Sequence, residues 1–337
     1  MIPKEPPSQK RPSSQDVARV AGVSRASVSA YLNGSRFVSA ELQYRIERAI
    51  KELNYVPDQL ARALKMNDAK TIGLVIPIVS NFYNPMIRAV NECAHQKSFS
   101  FLLASSEEEP IREKEILQVF FAKRISGILV VPCSYQNKQF LEQINKSGIP
   151  IVQVNRKIEG LNIDSVVSNN YKAAYSATEH LIQKGRCHIA LLGYDPGSLA
   201  NTEKKSGYDV AIKEYGLVNH TIFIKEHNVE SFTSAFNQLL ISSPINGLIC
   251  TTQTKTITAL RILREKSWKI PENISVIGFD DTPWSSLLQT PLTVISENTH
   301  QMGTIATQLL LEKIENKENR ALQNIILENE LVIRDST

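Results

Sequence analysis

SQDVARVAGVSRASVSAYLNGSRFVSAELQYRIERAIKELNY, residues 14–55, holds three short helical patterns with almost no spacer between them. Val17, Ala18 and Ala21 share one apolar face, and Gly22 then breaks the pattern. Ser24 is placed to cap a second helix through its hydroxyl, and Val28 and Leu32 face inward at i, i+4. Asn33-Gly34 is a stop and turn signal. Ser39 is placed to cap a third helix, whose apolar residues Leu42, Ile46, Ala49, Ile50 and Leu53 recur at helical spacing. Two helices joined by a tight Gly-containing turn read as a helix-turn-helix. The outward face of the second helix carries Arg25, Ala26, Ser27, Ser29 and Ala30. Apart from the arginine these side chains are short, so the helix backbone can approach the floor of a DNA major groove.

The same pattern suits a small three-helix bundle with no partner, and charge separates the two readings. Residues 1–70 hold 12 Lys/Arg against 7 Asp/Glu, a net of +5, while the remaining 267 residues hold 26 against 27, a net of −1. A basic head on a neutral body favours phosphate contact.

The chain has 337 residues, enough for two or three domains, and 42% hydrophobic residues, ordinary for a globular core. No apolar run reaches the roughly 18–20 residues of a membrane span. The first residues are Pro- and Lys-rich with no apolar signal core, so no secretory signal is expected and a cytoplasmic setting is. Cys93, Cys133, Cys187 and Cys250 are isolated and read as small apolar residues rather than metal ligands or disulfide partners. No cofactor is expected. GxSxG, GxGxxG, Walker A and HExxH frames are absent, His180 and His188 read as structural, and an enzyme is not expected.

Past Lys70 the texture changes. TIGLVIPI, FSFLLAS, SGILVVP and IPIVQVN read as buried parallel strands, with helices over Pro85–Gln96 and Glu113–Lys123 between them. The body then repeats: CHIALLGYD follows TIGLVIPI in character, NGLICTT follows SGILVVP, and NISVIGFDD follows GIPIVQVNR. This predicts two similar doubly wound α/β subdomains, one over about 70–168 and a second over about 169–293. From Asn298 a helix with Met302, Ile305, Leu309 and Leu310 packs back on the first subdomain, and one strand near Ile325–Ile333 ends the chain. No heptad tail follows Arg334, so a dimer is the default.

In open α/β sheets ligands sit outside the carboxyl ends of the strands. That rule selects Ser80, Asn81, Phe82 and Tyr83, then Cys133 and Ser134, then Asn155 and Arg156. In the second half it selects Tyr194 and Asp195, Thr251 to Gln253, and Asp280, Asp281 and Trp284. Strand-end loops are polar in any protein, so each is only a candidate.

DVARVAGVSRASVSAYLNGS followed by VSAELQYRIERAIKELNYVPDQLARAL resembles the head of the LacI/GalR family of bacterial transcription regulators. The resemblance continues more faintly to Glu330–Arg334. It implies a flexible basic arm over 1–11, an all-α DNA-binding head over 12–56 and a hinge helix over 57–69. It further implies a periplasmic-binding-protein-like body over 70–337, with 298–330 returning to the first subdomain. The implied function is a homodimeric repressor, bound to operator DNA on the bacterial nucleoid and controlled by a small sugar-like effector. A protein corepressor and a solute-binding transport protein are the alternatives.

The implied DNA-contacting residues are Ser14, Ser24, Arg25, Ala26, Ser27, Ser29, Asn33, Arg36 and Tyr55 of the head, with Ala61 and Leu64 of the hinge. Leu64 is the implied minor-groove wedge. The implied effector-binding residues are Asn81, Phe82, Ser134, Asn155, Tyr194, Lys204, Gln253 and Asp280. Lys204 stands where the family usually has Arg, and Asp58 where it usually has Asn. Ile78, Asn155, Asn169-Asn170 and Thr252-Gln253 replace carboxylate-bearing patterns of the family, so several carboxylates that typically grip sugar hydroxyls are lost: the effector is not a common sugar, or the cleft binds weakly, or another signal controls it.

Overall fold

A computed structural model describes residues 12–33, 36–55, 70–194, 199–224, 229–316 and 321–337. The chain divides into two compact units, 1–69 and 70–337. The expected hinge with Ala61 and Leu64, and the expected arm over 1–11, lie outside the described residues.

The first unit contains α1 (Ser14–Ala21), α2 (Arg25–Asn33) and α3 (Ala40–Glu52). Ser13 caps α1: its hydroxyl oxygen accepts from the Asp16 N–H while Asp16 accepts from the Ser13 N–H at 2.9 Å. Gly22 closes α1 at φ +62°, a conformation that suits glycine. Ser24 caps α2 as expected, its Oγ accepting from the Ser27 N–H at 3.0 Å. Ser39 occupies the N-cap of α3 but makes no side-chain capping bond, so position alone misjudged it. Val17, Val28 and Ile46 have no exposed surface and join Ala18, Ala21, Val38 and Ala49 in one core. Arg45 on α3 donates to the carbonyls of Ala21 and Gly22 at 3.0 and 2.9 Å, fixing α3 against the end of α1. The end of α1 needs such donors because the last carbonyls of a helix have no partner within it.

The second unit runs β1 (Thr71–Ile76), α4 (Asn84–Gln96), β2 (Ser100–Ser105), α5 (Pro110–Ala122), β3 (Gly127–Val130), α6 (Lys138–Lys146), β4 (Ile151–Asn155) and β5 (Asp164–Ser168). It continues α7 (Asn170–Gln183), β6 (Ile189–Tyr194), α8 (Leu199–Glu214), β7 (His220–Ile224), α9 (Val229–Ser242), β8 (Gly247–Cys250), α10 (Gln253–Glu265) and β9 (Ser275–Phe279). Then come β10 (Thr293–Ser296), α11 (Thr299–Glu315), β11 (Asn324–Leu327) and β12 (Glu330–Val332). The first sheet has the order β11-β5-β4-β3-β1-β2 and all its pairs are parallel. The second has the order β12-β10-β9-β8-β6-β7, parallel except for the antiparallel edge strand β12. Helices on both faces bury the central strands, which is why β1, β3 and β4 read as continuous apolar runs.

Three features depart from the sequence reading. The final strand is two strands: β11 joins the first sheet and β12 the second, so the chain crosses between subdomains once more than expected. α5 begins at Pro110, whose fixed φ suits a first helical turn, three residues before the expected start. β2 is an edge strand with Leu102 and Leu103 exposed, not a buried one. An apolar run signals burial against something, and in β2 that something is not within the chain's described residues.

Helix α11 returns to the first subdomain as expected, where Met302, Ala306 and Leu310 are fully buried with Ile72, Met86 and Val90. Burying each large side chain of this set contributes roughly 1.5–3 kcal/mol. Gly303 permits the close approach of α11 to α4, since a Cβ there would stand 2.8 Å from the Met86 carbonyl oxygen.

Candidate functional site

Two sets of residues stand out, one in each unit. In the head, α2 buries Val28 and leaves Ser24, Arg25 and Ala26 exposed at its start. Ser27 and Ser29 are half-buried, and so is Ala30, which packs against the head core rather than facing outward. Ser14 is half-buried on α1 and Arg36 is exposed after α2. Asn33 ends α2, and its side chain lies outside the described residues. Tyr55 is 9% exposed and belongs to the head core, so its ring holds α3 in place rather than standing on the surface. Tyr31 is half-buried, donates to Glu47 at 2.6 Å and bridges α2 to α3. The exposed start of α2 therefore offers one long cation among small polar groups. That arrangement suits insertion in a groove and bidentate contact with a guanine edge.

In the body, the carboxyl ends of both sheets meet where the chain crosses between them. Asn155 and Asp280 end equivalent strands, and both take the left-handed backbone conformation, at φ +62° and +73°. Asn and Asp tolerate that region better than other non-glycine residues, and such strain concentrates at functional positions. A chain of polar groups joins them. The Tyr83 hydroxyl donates to Asn155 Oδ1 at 3.3 Å. Asn155 Nδ2 donates to Glu297 at 3.3 Å, and the Ser168 hydroxyl donates to the same oxygen at 2.9 Å. Lys204 Nζ lies 3.6 Å from the other Glu297 oxygen, with the two side chains 9% and 3% exposed. The ammonium also sits 4.1 Å from the centre of the Phe279 ring and donates to the Thr251 carbonyl at 3.3 Å. Asp280 accepts from the Gln253 N–H at 3.4 Å. Burial pushes the Asp280 carboxyl up to about 7, against the pull of Lys204. Burial likewise raises the Tyr83 hydroxyl, which stays a proton donor at neutral pH. Arg156 is held by Glu108 through two parallel bonds of 2.9 Å, a geometry that fixes the guanidinium plane.

A cavity of about 300 Å³ opens beside this network. Cys133, Ser134, Arg156 and Glu159 line it from the first subdomain, and Leu199 and Thr202 from α8. Through Arg156, Lys157 and Leu199 it adjoins a void of about 10 Å³, room for one water, lined also by Asn155, Asn170 and Glu203.

Of the residues selected from sequence, the structure brings Asn155, Lys204, Gln253 and Asp280 together, and Ser134 lines the cavity. Phe82 packs edge-on against Tyr83 at 4.9 Å, while Asn81 is exposed and bonded to Asn84. The Tyr194 side chain lies outside the described residues. Where the substituted family positions, Ile78 and Asn155 among them, lack carboxylates, Glu108, Glu203 and Glu297 supply others from a loop, a helix and a crossover. Glu297 was missed because it follows β10, a strand outside the three repeated motifs. Asp281 turns away to pair with Arg334 at 2.7 Å, a structural role. Burial raises Cys133 and Cys250 to about 12, so both are neutral thiols. His180 contacts the Thr337 hydroxyl at 2.9 Å and anchors the chain end.

Residues 14–58 match the family model of bacterial regulatory proteins, lacI family, and residues 178–337 match that of a periplasmic binding protein-like domain. The HTH-type transcriptional regulator RegA of Clostridium saccharobutylicum is 32% identical over 96% of this chain and 98% of its own. The HTH-type transcriptional repressor PurR of Actinobacillus pleuropneumoniae is 31% identical over 96% and 97%. Among solved structures, the complex of the transcriptional regulator CelR with cellobiose aligns with a TM-score of 0.71 at 25% identity, covering 97% of this chain and 100% of that one. The lac repressor dimer bound to operator shares the fold, with a TM-score of 0.85 at 23% identity over 97% and 99% of the two chains. The chain belongs to the LacI family and is a DNA-binding transcriptional regulator, not an enzyme.

Proposed function

We propose that the chain acts as a homodimeric repressor that reads a pseudo-palindromic operator with one α2 per half-site. A small polar effector in the body cleft sets its operator affinity. The supporting observation is the polar chain from Tyr83 through Asn155 and Glu297 to Lys204, which links the subdomains at their crossovers. A ligand that competes for those groups changes the relative energy of the subdomain arrangements, and only such a differential affinity shifts a conformational balance. The dimer is supported by the exposed Leu102 and Leu103 on edge strand β2, since apolar edge strands invite pairing or need cover. One structural neighbour, CelR, was solved with cellobiose, which supports a sugar-like ligand.

The test is fluorescence anisotropy of labelled operator with the full chain and a panel of sugars, sugar phosphates and purine bases. A ligand that shifts operator affinity in the wild type and loses its effect in Asp280→Ala supports the reading. An effect unchanged by Asp280→Ala and Lys204→Ala places control elsewhere.

A further inference from the structure

The cleft carries more negative than positive side chains. Lys204, Arg156 and Lys157 are its cations, and Arg156 is already bound to Glu108 on both nitrogens. Asp280, Glu297, Glu108, Glu159 and Glu203 are its carboxylates. Glu297 takes the Lys204 ammonium, and no described cation forms an ion pair with Asp280. Glu203 faces the small void, and burial raises its carboxyl. Glu203 accepts from the Asn170 amide and lies in the field of Lys157, so its half-buried carboxylate is partly satisfied and keeps acceptor capacity toward the void.

An independent observation points the same way. Asn170 is 2% exposed and lines the void, and its Oδ1 is buried with no hydrogen-bond partner. Its amide nitrogen is already turned to Glu203 and to the Ser168 carbonyl. The free atom is therefore an acceptor, and buried acceptors are rarely left unpaired. An orphaned acceptor and a carboxylate with spare acceptor capacity lie on one void, and a single group with several donor hydrogens, such as an ammonium, serves both.

We propose that the effector carries a protonated amine, seated between Glu203 and Asn170 Oδ1, with the rest of the molecule in the adjoining cavity. This rests on the reading of the cleft as an effector site and names the ligand class. The ammonium fills the water-sized void and donates to Glu203 and Asn170 Oδ1, in place of the pull that Lys157 exerts on Glu203. Hydroxyls on the remaining frame meet Ser134 and the backbone of the β3 and β4 ends.

Titration calorimetry on the full chain with matched pairs tests it: D-glucosamine and D-glucose, D-galactosamine and D-galactose, putrescine and 1,4-butanediol. A bond to a charged group contributes about 1.5–3 kcal/mol, so the amine of a binding pair should bind at least about tenfold tighter. Glu203→Gln should remove most of that preference, and Glu203→Asp should retain it. Equal or tighter binding by the neutral member overturns the proposal, as does an amine preference that survives Glu203→Gln. If only glucose 6-phosphate or hypoxanthine binds and shifts operator affinity, the amine fails while the effector cleft stands. If no probe binds, both fail.

Discussion

Replacing Lys204 by methionine keeps the length of the side chain and removes its ammonium. Glu297 then loses the cation 3.6 Å away and keeps Ser168 and Asn155 as donors, in a site where its side chain is 3% exposed. Breaking a buried pair by removing one partner costs about 3–5 kcal/mol. A kilocalorie shifts the midpoint by roughly 2–4 °C in domains of 150–250 residues, and the longer body lies at the low end. The expected fall in the body's melting temperature is therefore about 6–10 °C. The double variant Lys204→Met/Glu297→Gln should recover at least half of it, because the stranded charge is gone. Differential scanning calorimetry of the two single variants and the double completes the cycle. A Lys204→Met midpoint within about 2 °C of wild type would refute the pairing, and so would penalties that simply add.

Asp280 faces Lys204, Glu297, Tyr83 and the Gln253 N–H, and its folded carboxyl titrates near 7, above its usual value. The folded state thus holds a proton that the unfolded state releases near pH ~4, so this group's contribution falls as pH rises from about 4 to about 7. Asp280→Asn should gain stability relative to wild type across that window in denaturant unfolding, and a constant difference would contradict it. Arg25→Ala should cost roughly 1–3 kcal/mol of operator affinity and relax preference at one base position in footprinting, whereas unchanged preference removes Arg25 from readout. Gly303→Ala should destabilise the body by about 1–3 kcal/mol in thermal unfolding, because the new methyl meets the Met86 carbonyl oxygen. A neutral result there would show that α11 and α4 can separate at no cost.

The sequence made the architecture legible where one local rule acted alone. The apolar runs of β1, β3 and β4, the Gly22 stop and the Ser24 cap all appear in the structure where the pattern put them. Strand-end positions were readable too, because topology alone fixes them, and Asn155 and Asp280 meet the same cleft. Long-range pairing was not readable. Glu297 reaches Ser168 across 129 residues of chain, and no local pattern marks such a contact. The division of the last strand is of the same kind: Glu328 and Asn329 separate β11 from β12, yet which sheet each joins is decided by β5 and β10. Leu102 and Leu103 show the limit of an apolar run as a signal, since it reports a need for cover without naming the cover.

All of the proposed regulation depends on sequence-specific reading of DNA by a symmetric pair of heads. Selection of bound duplexes from a random pool by the full chain, followed by footprinting of the enriched sequence, tests it most directly. One enriched pseudo-palindrome is expected, with both half-sites protected alike and a protein-to-duplex stoichiometry of two to one. An unenriched pool, or a single asymmetric half-site occupied by one chain, would contradict it.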